Sequence, residues 1–133
     1  MVSGDLENIS FDGIEHHTVV NQFYTGSNIY IGGESPEGKP LLRARSTYNT
    51  DHPINETDIV ALYAHESFPG HYFNSAVNDL LRRSSRPGFE RALGTMCTPS
   101  VAFQEGWAQV GLQLLYDGTR ESVVDALGPD FAV

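Results

Sequence analysis

The chain has 133 residues, enough for one domain with a core of its own. Seventeen Asp and Glu against eight Lys and Arg leave a formal net charge of −9. That balance argues against a nucleic-acid binder and against docking on an anionic membrane, since both need clustered cations. The one cysteine, Cys97, excludes an internal disulfide, and no apolar run approaches the roughly 20 residues of a membrane span.

Residues 1–18 carry no strong hydrophobic period, start polar and acidic without a signal peptide, and read as a poorly ordered opening. Residues 19–24 and 28–31, β-branched and aromatic, predict strands, and residues 41–48 predict a returning strand. The result is a small hairpin with a long Gly- and Pro-rich loop, followed by a second loop over 49–53. Asn55 or Thr57 caps a mostly apolar helix that carries residues 59–66, breaks, and resumes to about Arg83. Residues 84–88 end it and 89–96 predict a short helix. Ser100 caps a helix running to Tyr116, closed by Asp117-Gly118, and residues 121–127 form a last turn or two. The predicted fold is α+β and mainly helical, one domain over 1–133, with the β-hairpin at its N-terminal side. Its expected core is Ile59, Leu62, Phe68, Phe73, Val77, Leu80, Leu93, Val101, Phe103, Val110 and Leu114.

The chemistry concentrates in His65-Glu66-Ser67-Phe68-Pro69-Gly70-His71. It reads as a metalloprotease zinc motif stretched by two residues. The unstretched H-E-x-x-H places two imidazoles on one helical face with Glu beside the metal. Six positions on a regular helix would instead turn His71 roughly 240° from His65, and the two could not grip one ion. Pro69 has no N–H to give, and Gly70 tolerates unusual backbone, so a kink or bulge here returns His71 to the face of His65.

A third ligand is predicted at Glu105, within Thr98-Pro99-Ser100-Val101-Ala102-Phe103-Gln104-Glu105-Gly106-Trp107-Ala108. This helix is apolar over much of its circumference, a setting in which a carboxylate is out of place unless paired or bound to a metal. Gly106 would allow close approach of a neighbouring backbone or metal site. Two imidazoles and one carboxylate make the open three-ligand set of catalytic zinc.

The pattern H-E-x-x-P-G-H, followed by E-G-W-A on a later helix, resembles the bacterial domain-of-unknown-function 885 family. The matching positions are His65, Glu66, Pro69, Gly70 and His71, then Glu105, Gly106, Trp107 and Ala108. A weaker likeness covers Ser27-Asn28-Ile29-Tyr30 and Pro36-Glu37-Gly38-Lys39-Pro40, so the resemblance spans roughly 27–116. It implies zincin-like active-site helices, a gluzincin-type metallopeptidase, one zinc ion, and a peptide or small amide substrate. Members of the family are several times longer and largely helical, and are often exported or lipoproteins. The resemblance therefore implies a catalytic-core portion only. One departure stands out: the family usually has a second His directly after the first motif, where this chain has Tyr72.

The leading reading is a zinc-dependent, metallopeptidase-like hydrolase with His65, His71 and Glu105 as ligands and Glu66 as general base. A rival is a non-catalytic metal-binding or helical interaction module, its site closed by a fourth ligand such as Cys97 or His52. A third is a metallohydrolase of another amide or ester. Tyr63, Tyr48 and Tyr116 are candidate oxyanion donors, whereas Trp107 and Tyr72 read as packing residues. His16, His17 and His52 read as surface imidazoles.

Overall fold

The computed structural model describes residues 11–84, 98–117 and 119–129. After one 3-10 turn, strand β1 (Ile14–Val19) is followed by β2 (Gly26–Tyr30) and β3 (Ala44–Asn49). β2 and β3 pair antiparallel across a long loop, and β1 adds to the other side of β3 in parallel, giving the order β1-β3-β2. The predicted hairpin is present, but two expectations need correction. Residues 14–18, expected to be poorly ordered, are in a strand, and residues 20–24, expected in one, are not. Glu15, His16, His17 and Thr18 are all exposed, so the alternation that marks a half-buried strand is missing. Buried Asn49 holds the bend instead: its Nδ2 donates to the carbonyls of Gln22 and Tyr24, both at 2.9 Å.

The helices are α1 (Glu56–Glu66), α2 (His71–Arg83), α3 (Pro99–Gln109), α4 (Gly111–Leu114) and α5 (Arg120–Leu127). Asn55 caps α1, accepting from the Asp58 N–H at 2.8 Å. Thr98, not Ser100, caps α3, and Pro99 fills the first turn, where no N–H is needed. The single helix expected over 100–116 is divided at Val110. The helix expected at 89–96, with Leu93 and Cys97, lies outside the described residues.

Two apolar clusters hold these layers. Ile14, Leu42, Ala44, Tyr72 and Ala76, joined by Tyr30 and Leu80, fill the space between sheet and α2. Ala64, Leu112 and Val123, joined by Val60, Ala61, Tyr116 and Leu127, tie α1 to α4 and α5. Ala44, Ser46 and Ala76 have no exposed surface, because small side chains let the helices approach the sheet closely. The expected core is wrong at four positions: Ile59, Phe103, Val110 and Leu114 are 53%, 67%, 40% and 45% exposed. Leu62, Phe68, Phe73, Val77, Leu80 and Val101 are half-buried. Apolar side chains spread round much of the circumference of α3, so its weak periodicity gave no cue about which side would be covered.

α2 is pinned to the β2–β3 loop through Asp79, which is buried. Arg82 Nη2 and Arg83 Nε donate to its Oδ1 at 2.7 and 3.1 Å, and the Tyr30 hydroxyl donates to Oδ2 at 3.0 Å. Burial alone would raise this carboxyl, but the three donors outweigh it and hold it below its ordinary value. Arg83 continues to the Gly33 carbonyl at 3.0 Å. Replacing Asp79 by Ala is expected to cost about 2–3 kcal/mol, because Tyr30 and Arg83 lose a buried acceptor together. In urea unfolding the midpoint should fall at unchanged slope; a shift below about 0.5 kcal/mol would show that the network contributes little.

Candidate metal centre

The helix break occurs where the stretched motif requires it. α1 ends at Glu66, and the Ser67 N–H donates to the Tyr63 carbonyl at 2.8 Å. Pro69 follows, joined to Phe68 by a cis peptide bond. The Gly70 N–H then reaches back six residues to the Ala64 carbonyl at 3.0 Å, and α2 starts at His71. A regular turn spans four residues, so this wide turn absorbs the two extra ones. The His65 and His71 rings meet edge to face, centroids 4.8 Å apart and planes at 85°. Gly70 is needed for a reason other than unusual torsions. A Cβ there would lie 1.8 Å from the His65 carbonyl oxygen and 2.5 Å from that of Ala64.

Glu105 closes the set from α3. Its Oε2 lies 3.5 Å from His65 Nε2 and its Oε1 3.4 Å from His71 Nε2. One ligand atom from each residue can be chosen so that all lie within 4.8 Å of one another, and this trio is the group able to hold a metal ion among the described residues. Bonds of 2.0–2.1 Å at tetrahedral angles put neighbouring ligand atoms about 3.3 Å apart, so the two carboxylate–imidazole separations fit one small ion with little rearrangement. The apolar setting expected of Glu105 is not found, however. Its side chain is 55% exposed rather than buried in an apolar setting, and nothing lies within 4 Å of a Cβ at Gly106. What seats Glu105 is Trp107: half-buried, it donates from Nε1 to the Pro69 carbonyl at 2.7 Å and so locks α3 to the break. Ala108, 1% exposed, completes the close contact.

Glu66 is 5% exposed. A Cβ built on Gly26 would meet its Oε1 at 3.1 Å, so strand β2, at the sheet edge, runs directly beside it. Burial pushes the Glu66 carboxyl up to about 7, and the negative charge of Glu105 adds to the effect. Burial also depresses His65, helped by His71 and opposed by Glu105, which favours the neutral imidazole a metal requires.

These groups open onto a cleft of about 1020 Å³ whose walls include β2, α1 and α3. Asn28 lines it and was not singled out as a site residue. Its Nδ2 donates to Ser46 Oγ at 2.8 Å, and Ser46 Oγ lies 3.1 Å from Ser67 Oγ in the break. The available signal was a run of polar residues on paired strands, since Asn28 faces Ser46 in register. The tyrosines fall elsewhere. Tyr48 and Tyr63 line a neighbouring cavity and Tyr116 packs on the second apolar cluster, so none is placed in the metal cleft as an oxyanion donor. Tyr72, 1% exposed, packs in the sheet-side core, so the position after His71 is turned away from Glu105. His52 lines the cleft without joining the trio; His16 and His17 are exposed on β1. No protein-family model, curated protein or solved structure matches the chain. The family resemblance therefore rests on the motif residues themselves.

Proposed function

We propose that the chain is the core of a zinc-dependent hydrolase with metallopeptidase-like chemistry. The convergence of His65, His71 and Glu105, from three helices, beside a buried Glu66 carries this reading. These three side chains would hold the ion, and Zn²⁺ bound by such a set supplies a Lewis acid that brings the pKa of its water toward neutrality. Glu66 acts as general base. Burial raises its carboxyl above the ordinary range in the metal-free chain, the direction that makes it a better proton acceptor near neutral pH. The imidazoles remain neutral, and Glu105 supplies the one negative charge among the ligands. Asn28, oriented by Ser46, offers an amide at the cleft wall toward a substrate backbone.

The purified chain should take up one zinc ion per molecule, read by elemental analysis after dialysis. Glu105→Ala or His65→Ala should weaken zinc binding by about 100-fold or more, since each removes a direct ligand. Full zinc occupancy in both variants would refute the assigned ligand set. Cleavage of a peptide library by the zinc-loaded chain, abolished by chelation and restored by zinc, tests the hydrolase reading itself.

A further inference from the structure

A second cavity, of about 620 Å³, opens next to the metal cleft. The two share the wall formed by His52, Pro53 and Ile54. The second one is floored by aromatic rings: His16 stacks on Tyr63 at 5.4 Å and on Tyr48 at 5.9 Å, with planes within 28°. Ile59 forms its other side and leaves 53% of its surface in solvent, so its aliphatic face is open to a ligand.

We infer that this cavity is a subsite for a bulky apolar side chain of a peptide substrate, which rests on the peptidase reading above. The geometry of α1 gives its place in the substrate. Ile59, Tyr63 and Glu66 fall at i, i+4 and i+7, one stripe of the helix. At 1.5 Å per residue, Tyr63 and Ile59 stand about 4.5 and 10 Å along the axis from the general base. An extended peptide advances about 3.3 Å per residue, so a chain crossing from the metal cleft into the cavity places there a residue about one to three positions from the bond at the metal. A flat aromatic floor with an aliphatic side suits Phe, Tyr, Leu or Ile, whose burial there removes apolar surface from water on both partners.

The test is to digest a mixed peptide library with the zinc-loaded chain and map the cuts by mass spectrometry, with fluorescence polarisation of labelled peptides on zinc-loaded Glu66→Gln as a readout independent of turnover. Cut sites should be enriched in bulky apolar residues at one fixed position, about one to three residues from the cut. Replacing that residue by Ala should lower kcat/KM about tenfold or more, and weaken binding to a similar degree. Ile59→Asp should erase the preference while leaving zinc content unchanged; Ile59→Leu should retain it. Ile59 is exposed, so these substitutions do not disturb the core. Cleavage or binding without that preference, or a preference that survives Ile59→Asp, overturns the subsite alone. A zinc-loaded chain that neither cuts nor binds any peptide overturns both this inference and the peptidase reading. Dimers in sedimentation that Ile59→Asp converts to monomers would assign the patch to self-association and overturn the subsite.

Discussion

Glu66→Gln is expected to leave one zinc ion per chain and to cut peptide hydrolysis by about three orders of magnitude, within the range that a positioned general base supplies. The amide is nearly isosteric, so it fits beside Gly26, where a Cβ would sit only 3.1 Å from the carboxyl oxygen. What it lacks is the ability to take a proton. Because Gln also needs no ionisation in a site only 5% exposed, the apo fold should become more stable at neutral pH. The sign follows from linkage. Burial raises the folded Glu66 carboxyl to about 7 from an ordinary 4.5. Its stabilising contribution is complete below the unfolded value and is lost as pH rises through the folded one. The gain for Gln at pH 8 is on the order of 2 kcal/mol, discounted for partial solvation. Retained turnover above about one tenth of the parent rate would remove Glu66 from the chemistry.

Gly70→Ala is expected to destroy the metal centre, and Gly106→Ala to leave it intact, although both glycines belong to the motif segments. At position 70 the added carbon meets two backbone carbonyl oxygens of α1, at 1.8 and 2.5 Å. Neither is the free end of a side chain, so the wide turn itself must open, and His71 moves with it. The cost should reach about 3 kcal/mol or more, among the severe values for single substitutions, with loss of zinc binding. At position 106 the same carbon meets nothing within 4 Å in the middle of α3, where Ala is the better helix former by about 0.5–1 kcal/mol. Thermal unfolding of the two variants, with and without zinc, measures the contrast. A tolerated Ala at 70 would mean that the turn differs from the one described.

The site was more legible than the core because its information is local. A His pair six apart can face one site only if the helix breaks, and Pro69-Gly70 names the place of the break. The reach of Glu105 across the fold could be read only through its resemblance to a known pattern, and the physical reason offered for it, burial in an apolar helix, does not hold. Exposed Phe103 and Leu114 show why: where apolar residues spread round much of a helix, they do not reveal which neighbours cover them. β1 was illegible for a related reason. Its pairing comes from β3, while four of its own six residues are exposed and polar. Asn49 and Asp79 organise the strands through hydrogen bonds to backbone and charge, and neither leaves a period in the sequence.

Trp107 is the chain's only tryptophan, and its indole N–H is engaged by the carbonyl of Pro69, two residues from His71 on one side and itself two residues from Glu105 on the other. Its emission therefore reports on this one joint and on nothing else in the molecule. Indole fluorescence shifts with hydrogen bonding and with the charges around the ring, so the protein carries its own optical gauge of whether the helices are latched together. Titrations with metal ions, chelators or denaturant can be followed at the centre itself, without a label and without a substrate.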